Sequence, residues 1–180
     1  RRSHGLERAR IEDLARCAWV PSARNIVLLG PPGTGKTHVA IGLAIEAINP
    51  THLNNPRAHV RLREDVGDPR IKVTLDPTNM LNTSVYYRAT ELINECFALL
   101  GEDILYAHAK DVLWKPEMLP AFSWVVPGEG TMDYEVYLTH LSRMKHPRPL
   151  MLEFLSVEQY PRAKKFIEDT AAKAGVTIYS

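Results

Sequence analysis

Three short apolar runs in the second half of this chain each end in a side chain able to bind a cation or move a proton. Ile71–Asp76 (Ile-Lys-Val-Thr-Leu-Asp) and Leu150–Glu153 (Leu-Met-Leu-Glu) end in carboxylates. Ile104–Asp111 (Ile-Leu-Tyr-Ala-His-Ala-Lys-Asp) delivers an imidazole and then two charges. Runs of this kind predict buried parallel strands that surface into βα loops. Helical spacing fills the intervals. Ser84–Leu100 sets Ala89, Leu92, Ile93 and Cys96 on one face and is closed by Gly101. Asp133 caps a predicted helix through Met144 that turns Tyr137, Leu138, Leu141 and Met144 inward, and Ser156 with Gln159 forms a capping box for a helix to Ala174, stopped by Gly175. Ala58–Val66 reads as a short helix and Lys110–Gly130 as a long loop. This alternation predicts an α/β fold of parallel βα units.

The front of the chain has a different pattern. Residues 5–19 read as an amphipathic helix broken by Pro21, and Asn25–Leu29 as a short strand. Gly30, Pro31, Pro32, Gly33, Thr34, Gly35, Lys36 and Thr37 follow, a complete G-x-x-x-x-G-K-[ST] between a strand and a predicted helix over Thr37–Ile48. Gly33 and Gly35 let backbone N–H groups face phosphate oxygens, Lys36 reaches the β- and γ-phosphates, and Thr37 offers its hydroxyl to Mg²⁺. ATP with Mg²⁺ is the ligand this loop suits. Asn49–Arg57 holds two prolines and three asparagines in nine residues and reads as a linker. The expected organisation is therefore 1–48, a linker at 49–57, and 58–180. His52 and His59 read as solvated loop residues.

Composition narrows the field only slightly. With 45% hydrophobic and 24% charged residues the chain is an ordinary globular one. A net charge of +1 gives no global reason for nucleic-acid or membrane binding. Cys17 and Cys96 form no CxxC pair, which suits reduced thiols and a cytoplasmic setting. No apolar run reaches membrane-spanning length, no signal peptide is visible, and a start at Arg1 rather than Met is expected of a fragment.

Ile11-Glu12-x-Leu14, Asn25–Leu29, the phosphate loop, His38-Val-Ala40 and Ala44-Ile-Glu-Ala47 resemble the IstB-like transposition helper ATPases. That resemblance implies nucleotide binding, with a transposase and DNA as partners. Such an ATPase needs a later strand ending in paired acids to hold Mg²⁺; residues 49–180 show none, so hydrolysis is not expected.

Asp76, His108 and Glu153 are separated by gaps long enough for helical crossovers, so in a parallel sheet they converge on one rim. Carboxylates with one imidazole suit Mn²⁺ or Mg²⁺. Leu75-Asp-Pro-Thr-Asn79, His108-Ala-Lys-Asp111, Val126-Pro-Gly-Glu-Gly130 and Leu152-Glu153 together resemble the carboxyl half of the xylose-isomerase-like sugar phosphate isomerase/epimerase family, (β/α)₈ barrels that hold a divalent metal by Glu, Asp, His and Glu. The resemblance implies Asp76, His108 and Glu153 as the last three ligands, Glu153 also as proton-transfer base, and Lys110 or Glu129 as contacts to a sugar or sugar phosphate. Lys110-Asp111 also reads as a surface pair, and Gly128–Gly130 as a simple turn. The family's first glutamate lies in the front half of the barrel, which this chain is expected to lack. A half-barrel exposes strand edges. Either the chain pairs as a homodimer through them, or Asn25–Leu29 docks beside Ile71–Asp76. Three function classes follow: a metal-dependent isomerase or epimerase, a nucleotide-binding transposition helper, and an inactive gene fusion or truncated product.

Overall fold

The computed structural model describes residues 45–46, 51–67, 69, 71–115 and 121–179. The predicted helix over 5–19, the strand Asn25–Leu29 and the whole phosphate loop lie outside the described residues. Four parallel strands form the main sheet in the order β1 (Ile45–Glu46), β2 (Val73–Leu75), β3 (Ile104–Ala109) and β6 (Leu150–Leu152). Helices α1 (Pro56–Val66), α2 (Ala89–Leu100), α3 (Tyr134–Ser142) and α4 (Tyr160–Lys173) follow β1, β2, β3 and β6 respectively. This is an open parallel sheet of βα units, as the sequence pattern predicts, and the partial barrel that the family resemblance implies.

Local signals explain most of the boundaries. Asn55 Oδ1 accepts the N–H of Ala58, Pro56 sits in the first turn of α1, and Gly67 closes it at φ 67°. Asp133 caps α3 through the N–H of Val136, and Ser156 with Gln159 makes the expected capping box ahead of α4. Leu75, Ile93, Cys96, Ile104, Ala107 and Tyr137 lie at the centre of the core between the sheet and its helices. None of the described helices is long and apolar enough to cross a membrane.

Four expectations are corrected. The helix over Thr37–Ile48 does not extend through its end, because Ile45 and Glu46 are extended and pair with Val73 and Thr74. That strand takes the place beside β2 expected for Asn25–Leu29, and β3 fills the other side of β2. The long loop Lys110–Gly130 contains an antiparallel hairpin, β4 (Asp111–Lys115) with β5 (Ala121–Val125). His59 is not a solvated loop residue: it sits on α1 at 3% exposure, whereas His52 is exposed as expected.

His59 Nε2 is buried without a hydrogen-bond partner, and burial lowers the imidazole pKa. The unfolded chain therefore binds a proton that the folded chain resists, so folded stability falls as pH drops through about 6.5. His59→Leu removes this term. Urea unfolding at pH 7 and pH 5 is expected to show a smaller acid loss in the variant than in the wild type.

Candidate metal centre

The four parallel strands bring their carboxyl ends to one rim. β1 ends at Glu46, β2 hands over to Asp76, β3 carries His108 on its last turn of pleat, and Glu153 follows β6. Register fixes the convergence: Leu75 pairs with Ala107, His108 pairs with Met151, and the N–H of Glu153 donates to the carbonyl of Ala109. One ligand-type atom from each of Glu46, Asp76, His108 and Glu153 lies within 4.8 Å of the others. His108 Nδ1 is 3.3 Å from Glu46 Oε1, 3.4 Å from Glu153 Oε2 and 3.9 Å from Asp76 Oδ2. The trio predicted from the sequence is thus together, and a fourth side chain, Glu46, joins it. The expectation that the chain offers only three such residues is corrected.

Each member is held by its own support. Asp76 is fully buried, and its Oδ1 accepts the N–H groups of Thr78 and Asn79 at the start of a short 3₁₀ turn, at 3.0 and 3.3 Å. That leaves Oδ2 aimed at the cluster. It accepts no hydrogen bond of acceptable geometry, although Lys110 Nζ lies 2.7 Å away. Asn79 Nδ2 donates to Glu46 Oε1 at 2.6 Å and so orients the carboxylate that the sequence reading missed. Tyr137 Oη lies 3.1 Å from the carbonyl oxygen of Leu75 and 3.3 Å from that of His108 and shares its one proton between them, tying the ends of β2 and β3. Three carboxylates and one imidazole converging within 4.8 Å of one another are a donor set that fits a hard divalent cation.

Burial works against charge on His108, but the carboxylates of Asp76 and Glu46 and the charge of Glu153 outweigh it and raise its pKa to about 9. In the metal-free protein this stabilisation is fully present below pH 6.5 and is lost as pH rises through about 9. A cation needs the unprotonated nitrogen. Apparent Mn²⁺ affinity is therefore expected to rise about tenfold per pH unit below about 9 and to level off above it, as read by calorimetry across buffers.

The remaining predicted residues separate. Lys110 is no surface residue: it is 3% exposed and its ammonium contacts Asp76 and Glu153. Burial lowers its pKa, yet the Asp76 and Glu153 carboxylates more than compensate and the pKa ends raised. Asp111 is fully buried and accepts the N–H groups of Val112, Gly128, Gly130 and Met132, so the Lys110-Asp111 surface-pair reading is corrected for both residues. The Gly128–Gly130 segment is a turn, but a turn wrapped around that carboxylate. A Cβ on Gly130 would meet Asp111 Oδ1 at 2.2 Å. Glu129 is not part of the cluster; its carboxylate pairs with Arg162 on the exposed surface at 3.0 Å. Trp124, which the sequence places in the Lys110–Gly130 loop without a role, and Phe154 stack 5.1 Å apart over Lys110. Only the tertiary fold reveals them, since one comes from the hairpin and the other follows Glu153.

Parallel strands with alternating helices, and an oxygen-rich cluster at their carboxyl ends, define an α/β protein of barrel type with a candidate cation site. The chain belongs to the xylose isomerase-like TIM barrel family, whose profile matches residues 36–174. A second profile, IstB-like ATP binding protein, matches residues 1–53, so Glu46 lies in the overlap.

Solved structures of similar fold include a xylose isomerase domain protein from Planctomyces limnophilus, with a TM-score of 0.57 and 19% identity, covering 93% of this chain and 67% of that one. Another is a xylose isomerase-like TIM barrel protein from Mycobacterium smegmatis in complex with magnesium, with a TM-score of 0.57 and 13% identity, covering 97% of this chain and 54% of that one. At these identities the likeness is one of fold. The front of the chain is similar to an insertion sequence IS21 putative ATP-binding protein from Pseudomonas aeruginosa, 46% identical over 48 residues, which is 27% of this chain and 18% of the relative. An IS21-like putative ATP-binding protein from Bacteroides fragilis is 45% identical over 47 residues, 26% of this chain and again 18% of the relative. The chain therefore spans less than a fifth of the length of these ATP-binding relatives.

Proposed function

We propose that this chain supports divalent-cation-assisted proton transfer on a sugar or sugar phosphate, as an isomerase or epimerase. The observation that carries this reading is the convergence of Glu46, Asp76, His108 and Glu153 within 4.8 Å on the carboxyl rim of the sheet. Mn²⁺ or Mg²⁺ suits that donor set, and a protein of the same fold is described in complex with magnesium. When bound, the cation would supply polarisation of the substrate's carbonyl and hydroxyl oxygens.

The protein's own residues divide the remaining work. Asp76 is fixed, because it is fully buried with Oδ1 held by two backbone amides. Glu153 and Glu46, with side chains 34% and 32% exposed, flank His108. In this reading Glu153 removes the proton from the carbon beside the carbonyl, and Glu46 is the second carboxylate available to return one. Lys110 supplies a contact to a substrate hydroxyl or phosphate. β1 and β6 are the outer strands of the described sheet, so a homodimer through these edges belongs to the same proposal, as does a cytoplasmic setting.

Calorimetry with Mn²⁺ on the wild type and His108→Ala tests the site. Binding by the wild type and its loss in the variant is the expected result, and equal weak binding by both defeats the reading. Glu153→Gln should then abolish exchange of the substrate's carbon-bound deuterium with water.

A second reading is favoured by the match over residues 1–53. There Gly30–Thr37 grips ATP with Mg²⁺, and the chain is a fragment of a transposition helper whose partners are a transposase and DNA. Titration with a fluorescent ATP analogue, repeated on Lys36→Ala, decides it. Failure of both titrations leaves the third class, an inactive fusion or truncated product.

A further inference from the structure

Lys110 Nζ lies 2.7 Å from Asp76 Oδ2 and 2.8 Å from Glu153 Oε2, so an ammonium bridges two of the four side chains proposed above to hold the ion. At Asp76 Oδ2 it supplies charge rather than a well-aligned hydrogen bond. On its other side the same nitrogen faces two aromatic rings, 4.6 Å from the Phe154 centroid and 4.9 Å from that of Trp124. Both rings are largely exposed, and Phe154 is held at φ 57°, a conformation side chains other than glycine seldom adopt.

The main chain at this position is pinned. The carbonyl of Lys110 accepts hydrogen bonds from Thr78 Oγ1 at 2.7 Å and Tyr134 Oη at 3.0 Å. Any adjustment therefore falls to the flexible four-carbon side chain. A divalent cation needs the oxygens that the ammonium now contacts, and two cations crowded onto the same carboxylates repel. The rings offer the displaced ammonium a favourable surface that it already touches.

We propose that Lys110 is a built-in stand-in for the ion. In the metal-free protein its ammonium neutralises Asp76 and Glu153, and an entering divalent cation displaces it onto the faces of Trp124 and Phe154. The displacement presents a positive charge at the mouth of the site only once the ion is in, which orders ion binding ahead of a substrate carrying a phosphate or a polarised hydroxyl.

This inference rests on the metal reading, and the experiment separates the two. The full chain, Lys110→Met and Trp124→Phe are titrated with Mn²⁺ by calorimetry and with Mg²⁺ by tryptophan emission. Removing the competing ammonium is expected to tighten Mn²⁺ binding about tenfold or more, because the ion-ready state no longer has to be selected from a minor population. Mg²⁺ is expected to change the emission of the wild type and to leave Trp124→Phe and Lys110→Met unchanged. Wild-type binding of Mn²⁺ with no tightening in Lys110→Met, or with no emission change assignable to Trp124, overturns the stand-in while the metal reading stands. No Mn²⁺ binding by the wild type overturns both. If Lys110→Met does not fold, the comparison of wild type with Trp124→Phe still decides whether the ion moves the charge beside that ring.

Discussion

Replacing Glu46 by glutamine is expected to weaken Mn²⁺ binding by more than about a hundredfold, beyond the loss usual for a ligand's supporting partner. Urea unfolding of the same variant reads the part of the change that falls on the metal-free fold, where the Glu46 carboxylate pairs with His108. The expectation follows from geometry: Glu46 Oε1 sits 3.3 Å from His108 Nδ1 and is oriented by Asn79 Nδ2 at 2.6 Å. Glutamine keeps the shape but removes the charge, so loss of affinity without loss of fold isolates the carboxylate's part in holding the ion. Asn79→Ala should give a smaller loss, about tenfold to a hundredfold, since it frees the carboxylate without deleting it. Calorimetry on the three proteins at one pH makes the comparison. Wild-type affinity in Glu46→Gln would remove β1 from the site and return the cluster to three members.

Glu46 also marks where the amino-acid sequence stops being legible. Asp76, His108 and Glu153 could be read because each ends an apolar run too short for a helix and long enough for a buried strand. Glu46 lies in Thr37–Ile48, a run rich in Ala, Ile and Leu directly after a phosphate loop, where helix and buried strand have the same composition. Pairing with Val73 and Thr74 decides in favour of strand at Ile45 and Glu46, and that information is tertiary. The β4–β5 hairpin was hidden for a different reason. Pro116 and Pro120 bracket the connection between its strands, and no Asn-Gly or Asp-Gly turn announces it. Large apolar side chains are exposed on both of its faces, Leu113 on one and Phe122 and Trp124 on the other, which reads as an apolar loop rather than a strand. His59 falls inside the predicted helix Ala58–Val66, but a lone polar residue does not announce which face of that helix is buried, and tertiary packing decides it.

Asp111→Asn is expected to lower folding stability by about 3–5 kcal/mol, a large share of the total for a domain of this size. Oδ1 accepts the N–H groups of Val112 and Met132, and Oδ2 those of Gly128 and Gly130, so both oxygens are fully used as acceptors. An amide turns one of them into a donor facing two donors, leaving two buried N–H groups unpaired at a cost of about 1–3 kcal/mol each. Burial raises the carboxyl pKa and outweighs the four amides, yet the hydrogen-bonding pattern requires the ionised form. What the knot holds explains its bearing on the site. It fastens the segment from Gly128 to Met132 against the end of β3, one residue from Lys110, and so fixes both the hairpin that carries Trp124 and the start of α3, whose Tyr134 and Tyr137 bond the carbonyls of Lys110 and His108. Gly130→Ala should reproduce the loss, because its Cβ would meet Asp111 Oδ1 at 2.2 Å. Urea unfolding measures both variants. A loss below about 1 kcal/mol in Asp111→Asn would mean that the loop is held by its packing, with Gly128 against Phe166, and not by the buried carboxylate.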